Sequence, residues 1–304
     1  VRPVLSPLLA AGILLFAGCS EATSPSTAAA GGALLWRVEG PGGNGWLLGT
    51  MHVSEPRAVI LVPAAEAAFS TAGALYTEID GGLAAAAFVQ QAGTLPPTQP
   101  LKDLLPPILH RRLAGHLQSR QLRINEFERF RPWLATLMLG QLDAIELLRH
   151  GPPLDEVLRT RARDAGKTLG AVETVQEQIA ALSCGTEEQQ IHLLDLALTQ
   201  LEADHAAGRN RLMELFAAWS RGDEAALVRL QSEEVDLEDE AQRLWWEALF
   251  TQRNRNMAER VDRILRAPDA QEPMFAFGAM HFVGTDSVVE RLRALGWRVE
   301  RVKR

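Results

Sequence analysis

The chain has 304 residues, 47% hydrophobic and 23% charged, with a formal net charge of −7. That length allows one large domain or two ordinary ones, and the composition is that of a soluble globular protein. An acidic balance without a basic run excludes the usual nucleic-acid binder.

The first predicted element is a leader rather than part of a fold. Arg2 precedes an apolar stretch from Leu8 to Phe16, followed by Ala17-Gly18-Cys19-Ser20. A short positive region, an apolar stretch too brief to span a bilayer, and small residues before a cut predict a signal peptide over 1–18. The cysteine after the small pair resembles a bacterial lipobox, with Phe16 departing from the usual aliphatic residue. An ordinary cleaved signal beside a coincidental cysteine is the alternative. On the lipobox reading Cys19 is lipidated and residues 19–33 form a flexible tether to a membrane. The protein is then expected to be exported to the bacterial cell envelope, lipid-anchored on the periplasmic face of the outer or inner membrane. Residues 34–304 are expected to form a single domain, in which Cys184 is the only cysteine, so no internal disulfide is expected.

The folded part opens with strands in "ALLWRVEG" and "GWLLGTMH", flanking the turn cluster "PGGN". A helix opened by Pro63 is predicted over 63–71, then a short buried strand, "ALYTEID", over 74–80. Residues 81–165 read as mainly helical, broken at Pro96-Pro97, Pro106-Pro107 and Pro152-Pro153. "KTLGAVET" (167–174) is a further buried strand, and 186–266 is helical again. The chain closes with strand "MFAFGAMH", a helix over about 286–295 stopped by Gly296, and strand "WRVERV". This alternation predicts an α/β to α+β fold: a central mixed sheet covered by helices, with two long helical insertions.

Four of these strands end in reactive side chains: His52, Glu78, Glu173 and His281. Ligands bind at the carboxyl ends of strands in open sheets with helical crossovers, so four aligned strands would bring two imidazoles and two carboxylates to one edge. Gly49 and Gly278 each stand three residues before a histidine, where glycine permits positive φ or close approach of another chain. Neutral imidazoles with a carboxylate can hold a divalent metal while the other carboxylate takes a proton from water. Alternatively a His or Glu acts as general base without metal. A lone strand-end histidine is more often a hydrogen-bonded structural residue, and carboxylates after strands are common helix caps, as "ETVQEQ" would allow. His110, His116, His150, His192 and His205 lack ligand spacing and read as surface or structural. HEXXH, paired-cysteine, Gly-x-Ser-x-Gly and P-loop patterns are absent.

The motifs "GWLLGTMHVSEP", "TEID", "RPWLATL", "GKTLGAVETVQEQI", "AWSRGD", "RNRNMAERV" and "FAFGAMHFVGTDSVVERLRALGWRVERV", in this order, resemble the TraB/GumN family (TraB/PrgY/GumN, TIKI-like) from about residue 34 onward. The resemblance implies an erythromycin esterase-like or ChaN-like fold. It also implies a metal-dependent peptidase built on two Gly-x-x-His motifs and a glutamate. Carried over, the motifs are Gly49/His52 and Gly278/His281. His52, His281 and Glu78 would then ligate manganese, cobalt or zinc, with Glu78 as ligand or base. Glu173 would complete the shell, and Arg253 and Asn254 would contact substrate or its oxyanion. Trp133 and Trp219 read as core. The expected partner is a peptide or protein substrate. The rival readings are a metal-independent esterase-like hydrolase and a non-catalytic lipoprotein that binds a peptide or haem.

Overall fold

The computed structural model describes residues 33–142, 151–233, 235–268 and 270–303. The predicted leader, Cys19 and all of the tether but Ala33 lie outside them, as does His150. The strands are β1 (Leu35–Gly40), β2 (Gly43–Thr50), β3 (Ala74–Thr77), β4 (Thr168–Ala171), β5 (Met274–Gly278) and β6 (Arg298–Arg301). They form one mixed sheet in the order β4-β3-β5-β2-β1-β6. β1 and β2 make a hairpin in register from Leu35 opposite Leu48 to Gly40 opposite Gly43, which leaves Pro41 and Gly42 as its loop. β6 adds antiparallel to β1. β4, β3, β5 and β2 run parallel, so their carboxyl ends lie along one edge.

The burial of β5 explains its place in the middle. Met274, Phe275, Ala276 and Phe277 are all essentially inaccessible, with none of the alternation that a half-solvated strand would show. A run of this kind must be covered on both faces, and each fully buried large side chain contributes about 1.5–3 kcal/mol.

The helices divide between two hydrophobic cores. The first surrounds the sheet and takes in Phe216, Trp219, Leu227, Met257, Val261 and Leu265 from the later helices. The second is helical and has no sheet beneath it. It joins Leu101, Leu113, Trp133 and Leu139, from the stretch between β3 and β4, to Leu194 and Leu198. The expected pair of insertions therefore sorts differently in space. Most of the first insertion builds the second core, while Leu154, Leu158 and Ala162 of its last helix join the sheet core, and the second insertion is likewise split between the two. The long Glu187–Ala206 helix is the piece that defects, because its buried leucines face the Pro132–Leu142 helix.

One helix matters most for the site. Glu240–Trp246, a π-helical turn at Glu247–Gln252, and Arg253–Leu265 run as one continuous helix, with right-handed helical dihedrals at both junctions. Arg253, Asn254, Met257, Ala258, Val261 and Leu265 share its buried face. The π turn falls just before Arg253 and sets the rotation that delivers Arg253 and Asn254 to the strand ends.

Candidate active site

The four strand ends converge. His52 lies two residues beyond β2, Glu78 directly after β3, and Glu173 two residues beyond β4. His281 closes a single 3₁₀ turn, Ala279–His281, after β5. The carboxylate segments are laced together, with Val172 N–H donating to Thr77 O (3.0 Å) and Glu173 N–H to Glu78 O (2.7 Å). Glu78 is the hub. Its Oε1 accepts from Gly278 N–H at 2.7 Å and lies 3.9 Å from His52 Nε2 and 4.0 Å from His281 Nε2. Its Oε2 accepts from Arg253 Nη2 at 2.8 Å and from Gln178 Nε2 at 3.0 Å.

Both motif glycines have negative φ, so close approach, not backbone handedness, is what requires them. A Cβ on Gly278 would sit 3.0 Å from Glu78 Oε1 and 3.6 Å from His52 Nε2, inside the site. A Cβ on Gly49 would meet Leu34 Cβ at 2.9 Å and Ala279 Cα at 3.3 Å, in the core. The two phrases are alike in sequence and differ in what their glycines make room for. Trp219, buried as expected, donates its indole N–H to Gly49 O at 2.9 Å and so pins the first motif's backbone.

Each imidazole has a partner at Nδ1. Asn254 donates from Nδ2 to Asp286 O (2.9 Å), which turns Oδ1 toward His281 Nδ1 at 2.6 Å. Nδ1 must therefore carry the proton, and the Nε2 lone pair is bare. The Phe250 ring, from the π turn, packs on the His281 ring at 5.6 Å between centroids. His52 Nδ1 lies 2.7 Å from Asp155 Oδ2. His281 is buried, whereas the His52 side chain keeps 38% of its surface open, so His52 forms the accessible wall.

Charge follows burial and partners. Burial works against ionisation of Glu78, yet Arg253, His281, His52 and the Gly278 N–H hold its carboxyl well below the usual range. Burial raises Glu173 by more than Arg253 lowers it. Arg253 is buried, but Glu78 and Glu173 more than restore its charge. Burial and Arg253 press His281 down to about 3, so it is neutral. Partial burial pulls His52 down, but contact with Asp155 and the charge of Glu78 outweigh it and lift it to about 9.

The structure thus brings His52, His281, Glu78, Glu173, Arg253 and Asn254 into one network, in which Arg253, Glu173 and Asn254 also make contacts that their expected roles did not include. Arg253, expected at an oxyanion, directs Nε to both oxygens of Glu173 (3.1 Å each) and Nη2 to Glu173 Oε2 (2.8 Å) and Glu78. Its Nη1 makes only a 3.5 Å contact, to Leu249 O. Glu173, expected in the metal shell, is the arginine's counter-ion. Asn254 spends both amide atoms on Asp286 and His281. Asp155, Gln178 and Phe250 were not singled out from sequence. Asp155 looks there like any first-turn acid, Gln178 like any residue of a capped helix, and Phe250 like core. His110 and His192 pair with Glu128 (2.8 Å) and Asp239 (2.7 Å), His116 is buried and His205 is exposed, all away from the strand ends.

The donors His52 Nε2, His281 Nε2 and Glu78 Oε1 are those of a His/His/Glu metal site. With bonds of about 2.1 Å, neighbouring ligands of a tetrahedral ion stand about 3.4 Å apart. The separations of 3.9 and 4.0 Å are wider. Among the described residues no group of three or more His, Cys, Asp or Glu is arranged to hold a metal as it stands. The set fits a divalent ion in donor chemistry, and it must contract by about half an ångström to fit in spacing.

A parallel-strand edge carrying this network defines an α/β or α+β protein with a largely buried polar site of two imidazoles and two carboxylates. The chain belongs to the TraB/PrgY/gumN family, whose profile matches residues 34–301. It is 29% identical over 321 residues to Metalloprotease TIKI2 of Danio rerio, covering 88% of this chain and 60% of that protein. Metalloprotease TIKI1 of Homo sapiens is 26% identical over 298 residues, 84% of this chain and 59% of the relative. An uncharacterized protein of Treponema pallidum (strain Nichols) is 28% identical over 247 residues, 73% and 68% of the two chains. The chain thus spans about 60% of the length of the TIKI proteins it matches. No solved structure matches.

Proposed function

We propose that this chain is a metal-dependent hydrolase of peptide bonds, with His52, His281 and Glu78 as the metal-holding residues. The carrying observation is that two imidazole Nε2 atoms stand 3.9 and 4.0 Å from one carboxylate oxygen, Glu78 Oε1, beside the space that a side chain on Gly278 would fill. Likeness to proteins named as metalloproteases supports the same chemistry. A divalent ion such as manganese, cobalt or zinc, bound there, supplies Lewis-acid polarisation of a carbonyl and an acidified water.

The chain's own residues do the rest. Glu78 presents Oε1 to the site while Arg253 and Gln178 fix Oε2. Glu173 keeps Arg253 in place, and Arg253 Nη1 is the guanidinium donor left for a substrate oxygen. Asn254 keeps the proton on the outer nitrogen of His281. His52, the open wall, is where a peptide meets the site. We extend the reading to an exported protein tethered through a lipidated Cys19, on the strength of residues 2–20, and to the erythromycin esterase-like group of folds.

A metal-free reading has one observation in its favour. The placement of Asp155 Oδ2 2.7 Å from His52 Nδ1 is that of a carboxylate orienting a general base, with Nε2 left on the Glu78 side of the ring. One experiment separates the two. The purified domain is dialysed against each metal, its metal content measured, and a peptide library incubated with it before and after chelation. The expected result is near-stoichiometric metal, cleavage that chelation abolishes, and loss of both in His281→Ala and Glu78→Gln. Cleavage that survives chelation would establish the metal-free base, and hydrolysis of no peptide would leave a binding protein.

A further inference from the structure

Asp155 is the second residue of the Leu154–Asp164 helix, and an acid in a first helical turn is ordinary because it faces the positive end of the dipole. Its neighbour Glu156 serves that purpose from a more exposed position. Asp155 is instead 5% exposed, and neither of its oxygens receives an aligned hydrogen bond from a described group. A buried carboxylate without donors is costly unless something else requires it there. What lies against it is His52 Nδ1, at 2.7 Å.

The distances repeat those of the other histidine, although only the His281–Asn254 pair is aligned as a hydrogen bond. His281 has an oxygen acceptor 2.6 Å from Nδ1 and its Nε2 4.0 Å from Glu78 Oε1. His52 has an oxygen acceptor 2.7 Å from Nδ1 and its Nε2 3.9 Å from the same Oε1. The two acceptors come from unrelated helices, Asp155 after the Pro152-Pro153 break and Asn254 after the π turn. They differ in charge, since one is a carboxylate and the other a neutral amide.

We propose that Asp155 is a positioning residue of this site. It holds the proton of the neutral His52 ring on Nδ1, so that Nε2 is the nitrogen left bare and aimed at Glu78, as Asn254 does for His281. The inference rests on reading His52 as a ligand of the site. Outer partners of metal-bound histidines are worth about 10- to 100-fold in metal affinity.

The test uses Asp155→Ala and Asp155→Asn, with two readouts. The first is zinc affinity by competition with a chromophoric chelator, expected to fall about 10- to 100-fold in the alanine variant and to be largely rescued in the asparagine variant. The second is the imidazole nitrogen spectrum of metal-free protein, recorded on both sides of His52 titration. His52 Nδ1 should stay protonated throughout in wild type and in the asparagine variant, and lose that preference in the alanine variant. A wild-type His52 whose proton resides on Nε2 after titration would overturn the inference, even if the alanine variant did not fold. So would an alanine variant with unchanged zinc affinity and unchanged nitrogen shifts. If wild type binds no zinc, the metal reading fails by itself, and the nitrogen spectrum still decides for Asp155.

Discussion

The same phrase, Gly-x-Met-His, does two jobs at its two glycines. At Gly278 a methyl group would press on Glu78 Oε1 and approach His52 Nε2, and the adjoining N–H is itself a donor to Glu78. Gly278→Ala should therefore lower metal affinity and peptide cleavage about tenfold or more, with unfolding stability moving by less than about 1 kcal/mol. At Gly49 the methyl group meets Leu34 and Ala279 in the packed core. Gly49→Ala should cost about 1–3 kcal/mol by overpacking, while folded protein keeps its metal. Urea titration beside metal binding reads both, and equal effects at the two positions would show that the motifs share one role. The strand-end histidines and carboxylates were legible in the sequence because apolar runs stop at them. Asp155 was not, since its meaning depends on a residue 103 positions away, 155 − 52.

At the scale of the element, the helix that begins at Glu240 decides how Arg253 is used. Despite the charged composition of this helix, the fold buries Arg253 and Asn254, because the π turn rotates them toward the strands and two carboxylates wait there. Propensity and spacing carry no signal for a π turn, which is why the helix was expected without its rotation. Removing the guanidinium would leave Glu78 and Glu173 buried without a counter-ion. Arg253→Met should destabilise by about 3–5 kcal/mol. Glu173→Gln should cost less, since Arg253 keeps Glu78 as a counter-ion and an amide oxygen can still accept from the guanidinium. Chemical denaturation of both variants checks the ordering. A methionine variant as stable as the glutamine one would mean that the pair is not a closed ion network. The strands were legible to within about three residues at their ends, and the helix Pro63–Thr71 was found where Pro63 placed it. The sorting of helices between two cores was not, because an apolar helix face does not say which neighbour will cover it.

For the molecule as a whole, the two histidines bracket its pH range. His52 titrates at about 9 in the fold, above the ordinary value of 6.5. Its contribution to stability is complete below about 6.5 and is lost as pH rises through about 9. His281 titrates at about 3, so below about 6.5 an unfolded chain binds a proton that the fold refuses, and stability falls with acidity. The lowered Glu78 carboxyl adds to that acid limb. Metal-free protein should be most stable near pH 6.5, as thermal melts across the range would show, and Asp155→Asn should flatten the alkaline side. A profile flat from neutral to alkaline pH in wild type would contradict the raised His52. The sheet order carries a further consequence, one concerning time. β5, residues 274–278, sits between β2 and β3, so neither histidine can meet Glu78 until almost all of the domain has left the ribosome. A nascent chain is therefore inert through most of its synthesis, and any fragment stopping short of Met274 has a sheet split down the middle and no site at all.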